Sequence, residues 1–106
     1  MPRGRPTKSL IRQNMIEILY FMKQGYGYDI FKAYKSIFPA VTMRVIYYHL
    51  KKGTQIGEFK VHEIKKEQGD YSWGSSVEKI YYALGNNAKP VMDNRVKDFF
   101  ESKRLS

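Results

Sequence analysis

Residues 42–53 read Thr42-Met43-Arg44-Val45-Ile46-Tyr47-Tyr48-His49-Leu50-Lys51-Lys52-Gly53, and the period of this stretch decides the fold. Thr42 carries the short hydroxyl side chain that caps a helix N-terminus, and a helix over Met43–Lys52 follows it. Gly53 or Gly57 closes that helix; the pattern leaves both open. With Met43, Ile46, Tyr47 and Leu50 turned to a core, the opposite side shows Arg44, Val45, Tyr48, His49 and Lys52, with Lys51 flanking. Tyr47 and Tyr48 are adjacent and cannot both point inward, so Tyr47 is assigned to the core and Tyr48 to solvent.

Upstream, Ile30, Tyr34 and Ile37 make one stripe of a helix over Tyr28–Phe38, with Phe31 and Phe38 beside it. Pro39 ends it by pushing its predecessor out of the helical region. Gly25-Tyr26-Gly27 breaks it from an earlier helix over residues 9–23, where Ile11, Met15, Ile18, Leu19 and Met22 share one face and Ser9 or Thr7 supplies the cap. Residues 1–8 hold Pro, Gly and cations and read as a flexible arm. Downstream the period changes. Phe59 and Val61 alternate within Glu58–Lys65. Lys66–Ser76 is turn-rich, and Val77–Leu84 alternates with Ile80, Tyr82 and Leu84 on one side. These are two strands and a long loop. Gly85-Asn86-Asn87 stops the second strand. A last helix over Val91–Lys103, with Pro90 near its first position, carries Met92, Val96, Phe99 and Phe100. Three short helices, a β-hairpin and a C-terminal helix form the order of an α+β winged helix-turn-helix. The domain spans residues 9–85, and residues 86–106 cap its core or pair with a second subunit.

Charge is placed unevenly on this plan. The 106 residues carry 19 Lys and Arg against 10 Asp and Glu, a net charge of +9. Net +4 falls on residues 1–24 and net +4 on residues 25–53, so the excess lies almost wholly in the arm and first three helices. That asymmetry fits a face for phosphates better than a surface tuned for solubility. Hydrophobic residues at 42% suffice for a core. Cys is absent, which removes disulfides, thiol catalysis and Cys-type zinc fingers, and with only two His no metal site is expected. Apolar runs are too short for a membrane span, and the N-terminus lacks the apolar stretch of a signal peptide. A cytoplasmic, nucleoid-associated protein is the expectation. No phosphate-binding Gly-Lys-Ser/Thr loop, His-Glu-x-x-His or nucleophile elbow occurs, so neither an enzyme nor a cofactor is expected.

In this fold the third helix enters the major groove of duplex DNA, braced by the second. Thr42, Arg44, Val45, Tyr48, His49, Lys51 and Lys52 are the candidate contacts. Arg44 offers a bidentate fork to guanine, Tyr48 and His49 offer donors to bases or phosphates, and Lys51 and Lys52 clamp phosphates. The plainer reading of Lys51-Lys52 is a solvated helix end stabilised by the helix dipole. Lys65 and Lys66 are the candidate wing contacts, although Glu67 and Asp70 sit beside them. Trp73 in the polar loop is read as folding back onto the core, and His62 as an exposed filler. Met92, Val96, Phe99 and Phe100 are the candidate dimerisation residues, which would match two DNA half-sites about one turn (~34–36 Å) apart.

The arm adds a second signal. Arg3-Gly4-Arg5-Pro6 matches the core of the AT-hook, which lies along the minor groove of A·T-rich DNA. Arg3, Arg5 and Lys8 would bind there, with Gly4 letting the backbone approach. A disordered basic tail is the plainer alternative.

Three motifs also resemble PadR-like winged-helix regulators. Gly25-Tyr26-Gly27-Tyr28-Asp29-Ile30 is similar to the Gly-Tyr-x-Ile signature that opens their second helix. Ile46-Tyr47-Tyr48-His49-Leu50-Lys51-Lys52-Gly53 resembles their Tyr-x-x-Leu recognition helix. Glu78-Lys79-Ile80-Tyr81-Tyr82-Ala83-Leu84-Gly85 resembles the strand that ends their wing. The chain departs from the pattern at Gly53, where the family usually has Leu, and at Glu58-Phe59, where it has Leu-Ile. The Tyr-Tyr-His-Leu-Lys-Lys-Gly helix is also similar to an archaeal winged-helix group. The resemblance implies DNA binding, transcriptional regulation and often a homodimer, and supplies no effector. The competing readings are a protein-interaction winged helix within a larger assembly, and an architectural or RNA-binding module stacking bases on some of the nine Tyr and six Phe.

Overall fold

Ser9 Oγ accepts a hydrogen bond from the Arg12 backbone N–H at 3.3 Å and opens helix α1, Leu10–Met22. Met15, Ile18 and Leu19 are its buried stripe. The computed structural model describes residues 9–39, 41–68 and 76–105. α1 stops at Lys23, which takes a left-handed φ of 78° and donates its N–H to the Leu19 carbonyl. Gly25–Tyr26 then forms a two-residue strand, β1, where only a chain break was expected. Helix α2, Gly27–Ile37, buries Ile30, Ala33 and Tyr34, and Phe38 ends it immediately before Pro39.

Thr42 caps helix α3, Met43–Gln55, its Oγ1 accepting from Val45 N–H at 3.2 Å. Of the two candidate stops, Gly57 is the one used. It holds φ 85°, a left-handed conformation open to Gly at little cost. Gly53 lies inside the helix, where the Phe59 ring rests so close to its Cα that a side chain would collide.

Strands β2, Phe59–Gln68, and β3, Ser76–Leu84, form a ribbon longer than the alternation indicated, reaching Gln68 on one side and Ser76 on the other. The antiparallel sheet runs β1-β3-β2, with Gly25 opposite Tyr82 and Tyr26 opposite Tyr81. Phe59 pairs with Leu84, Val61 with Tyr82 and Ile64 with Ile80. A bulge between Val61 and Glu63 puts His62 out of register. The base of the ribbon joins the core through Phe59, whereas Ile64 and Ile80 farther out are exposed.

The last helix, α4, runs Asn94–Leu105 rather than starting at Val91. Asp93 supplies the cap: its Oδ1 accepts from the Arg95 backbone N–H at 2.8 Å. Met92 sits before the helix with φ 65° and is half-exposed, so it does not belong to the α4 stripe. Val96 is fully buried in the chain's own core, and Phe100 stacks on Phe21 of α1 at 6.1 Å. The segment leading to α4 is held by the buried Glu17 of α1, whose carboxylate accepts from Val91 N–H at 2.7 Å and Asp93 N–H at 3.1 Å. Four helices and a three-stranded antiparallel sheet thus make a winged helix-turn-helix with α3 on one flank and the β2–β3 ribbon beside it.

Candidate nucleic-acid interface

α3 buries Ile46, His49, Leu50 and Gly53. At 100° per residue the opposite side is the stripe Arg44, Tyr48, Lys51 and Gln55, all exposed. Tyr48 is 60% exposed. Lys52 is exposed on one flank of this stripe and Val45 half-buried. Thr42 is exposed at the helix N-terminus, its oxygen engaged by Val45 N–H. Tyr48, Lys51, Lys52 and Gln55 line a shallow cleft at the C-terminal end of the face.

The outer stripe is rotated from the expected one, and two residues carry the correction. His49, expected outside, is 9% exposed. Tyr47, expected in the core, is 48% exposed. The rotation has a physical cause on each side. Arg12 of α1 lies under His49, its Nη1 3.3 Å from His49 Nδ1. The guanidinium has no lone pair to offer, so Nδ1 accepts and the neutral ring carries its proton on Nε2. Arg12 Nε donates to Glu58 Oε1 at 2.7 Å, and both side chains are nearly fully buried. Burial, then the Arg12 charge, lowers the His49 pKa from its ordinary 6.5. On the other side, the Tyr47 ring lies over Gly27, about 2.5 Å from where a Cβ would stand. Its far edge remains in solvent.

Sequence reasoning missed Gln55, which extends the Arg44-Tyr48-Lys51 stripe by one turn because the helix outlasts Gly53. It also missed the Arg12–Glu58 pair, which fastens α1 to the turn that follows α3. No periodicity signals a contact between residues 46 positions apart. Arg12, counted among the cations of the basic half, is spent on this internal pair.

On the wing, Lys65 pairs with Lys79 and Lys66 with Glu78 across the ribbon. Lys65 and Lys66 are exposed. The minor-groove candidates Arg3, Gly4, Arg5 and Lys8, and Trp73, which follows β2 in the sequence, lie outside the described residues. Among the dimerisation candidates, Val96 is enclosed by its own chain, Phe99 and Phe100 are half-buried and Met92 is exposed. Among the described residues no group of three or more His, Asp or Glu is placed to hold a metal ion, and no helix is long and apolar enough to cross a membrane.

No family profile matches this chain, and no curated protein matches it. Solved structures do resemble it. A PadR family transcription regulator from hypervirulent Clostridium difficile R20291 is 20% identical with a TM-score of 0.47, the match covering 85% of this chain and 92% of that one. Bacillus subtilis PadR in complex with operator DNA is 23% identical with a TM-score of 0.45, over 82% of this chain and 46% of the other. A PadR-like transcriptional regulator from Bacillus cereus strain ATCC 14579 is 22% identical with a TM-score of 0.42, over 92% and 88%. At these identities and scores the likeness assigns no function to this chain. The architecture and the α3 face stand on the chain's own geometry.

Proposed function

We propose that this chain is a sequence-specific DNA-binding protein, a transcriptional regulator, that seats α3 in the major groove. The observation that carries the proposal is the exposed stripe of Arg44, Tyr48, Lys51 and Gln55, with Lys52 beside it, on a helix capped at its start and braced from below. The stripe holds donors at every turn and no carboxylate. Arg44, in the first turn, has the fork geometry that reads guanine, and Gln55 can pair bidentately with adenine. Thr42, Lys51 and Lys52 supply phosphate contacts that fix the register. His49 is not a base contact in this arrangement; it sets the height of the helix from beneath. Lys65 and Lys66 of the wing touch the neighbouring backbone. Arg3, Gly4, Arg5 and Lys8 follow the minor groove where it is narrow and A·T-rich. Two copies bind successive half-sites, meeting through the surface around Met92 and the exposed parts of Phe99 and Phe100. The setting is the cytoplasm, at the nucleoid.

Selection of bound duplexes from random sequence tests this reading. A defined motif is the expected result, and Arg44→Ala relaxes the preference at one position at a cost of about 1–3 kcal/mol. Enrichment of no motif, with equal binding to RNA, would contradict sequence-specific duplex recognition. Absent or salt-insensitive duplex binding would favour a protein-interaction module instead.

A further inference from the structure

Tyr47 and Lys52 flank the outer stripe of α3 on opposite sides. At 100° per residue each lies about 70° round the helix from the middle of Arg44, Tyr48, Lys51 and Gln55. A helix about 10–12 Å across fills a major groove about 12 Å wide, so its two flanks face the two sugar–phosphate strands that border the groove. Lys52 serves one flank. The proposed contacts leave the other flank bare, and the wing stands on that side.

Three elements build this flank. Gly27 opens α2, and the Tyr47 ring lies over it because no Cβ stands in the way. Tyr82 and Ile80 of β3 close the far side. They share a sheet face with Leu84 and its partner Phe59, which rests on Gly53 of α3. The result is a cleft of about 170 Å³ lined by Tyr26, Gly27, Tyr47, Lys79, Ile80 and Tyr82. The Lys79 ammonium is already held, 4.7 Å from the Tyr26 ring centroid and in a further interaction. The Tyr47 and Tyr82 hydroxyls differ: neither has a hydrogen-bond partner among the described residues. Tyr47 is half-exposed and Tyr82 half-buried. Burial, then the neighbouring Tyr47, raises the Tyr82 pKa above its ordinary 10.0, so this hydroxyl keeps its proton and stays a donor.

A duplex seated on α3 covers both hydroxyls and strips their water. A donor buried without an acceptor is costly, so the bound duplex must offer one. Base edges lie in front of the stripe, whereas the acceptors beside it are phosphate oxygens, which every sequence presents. We infer that Tyr47 and Tyr82 form an uncharged phosphate clamp, their hydroxyls donating to the DNA strand on the wing side of α3 while Lys52 holds the opposite strand. The inference rests on the proposed function, because it needs α3 in the major groove. It adds a contact that the charge pattern of the chain does not reveal. A phenol neutralises no phosphate and releases no counterion, so the pair adds affinity without steepening the salt dependence.

The test uses the full chain and a short duplex carrying the selected motif. Tyr47→Phe/Tyr82→Phe keeps both rings, so its urea midpoint stays that of wild type. It binds the duplex about 10-fold more weakly, as expected for the loss of two hydrogen bonds to charged acceptors. The slope of its log affinity against log salt is unchanged. Methylphosphonate, which removes the charge of a phosphate, is then placed at one linkage at a time. At a linkage on the wing-side strand wild type loses more affinity than the variant, the mark of a direct contact that a merely structural role does not give. Lys52→Gln shows the same coupling on the other strand. Tyr47→Phe alone, altered at a half-exposed hydroxyl, gives the same reading if the double variant is unstable. Affinity within about 2-fold of wild type overturns the inference. So do equal methylphosphonate losses in wild type and variant at every linkage, or coupling of Tyr47 and Lys52 to the same strand. Each of these leaves the α3 reading standing. Failure of wild type to bind any duplex overturns both.

Discussion

Arg12 and His49 lie 37 positions apart and meet beneath α3, where burial first and the Arg12 charge second disfavour protonation of the imidazole. The buried imidazole is neutral, accepting from a guanidinium that would repel its protonated form. Its pKa lies below the ordinary 6.5, so the unfolded chain takes up this proton at a higher pH than the folded one. The stability that goes with the neutral ring is therefore full above about pH 6.5 and is lost as pH falls through the lowered pKa. Thermal denaturation from about pH 7.5 down to about pH 5 checks this. Wild type loses stability across that range, and His49→Asn, whose Oδ1 still accepts from Arg12 and cannot titrate, loses less. Equal loss in both proteins would show that His49 does not contribute. A residue of this kind reads in sequence as one more polar group on a cationic helix. Its burial follows from Arg12 and Glu58, which only the folded chain brings beneath it.

At the scale of elements, periodicity located α1, α2, α3 and the ribbon, because each buries a stripe or face of regular spacing. It failed where a single tertiary contact overrides local preference. β1 is two residues long and exists only through pairing with Tyr81 and Tyr82. α4 begins at Asn94 because Asp93 caps it and Glu17 binds the approach, whereas Pro90 offered an earlier start on local grounds alone. Gly53 is the sharpest case. In an open helix interior, Gly→Ala stabilises by roughly 0.5–1 kcal/mol. Here the new Cβ would enter the Phe59 ring. Gly53→Ala therefore destabilises the protein, by about 1–3 kcal/mol as expected for an overpacked core. Urea unfolding reads the sign directly, and a stabilised variant would mean that α3 and β2 are not packed as described. The same contact explains why a larger residue cannot stand there without separating the helix from the wing.

For the whole molecule, the positive charge of the first half is divided between tasks. Arg12 is consumed internally, while Arg44, Lys51 and Lys52 remain on the outer side of α3. The net charge pointed to a polyanionic partner, and the spacing put Arg44, Lys51 and Lys52 on the outer side of α3, where they are exposed; that Arg12 turns inward was not legible, because its partners His49 and Glu58 lie 37 and 46 positions away. The arm is expected to extend the same interface. Deleting Met1–Lys8 lowers affinity most on duplexes with A·T-rich flanks, where a narrow minor groove attracts Arg3 and Arg5. Equal binding of the full and shortened chains to A·T- and G·C-flanked duplexes would remove the arm from the interface.

The measurement closest to the central claim is duplex affinity across a salt series for wild type and for Lys51→Gln/Lys52→Gln. These side chains are exposed on α3 and make no core contact, so the fold is retained. If they clamp phosphates, the slope of log affinity against log salt becomes shallower by about 2 in the variant. An unchanged slope and affinity would show that duplex DNA does not lie against this side of α3.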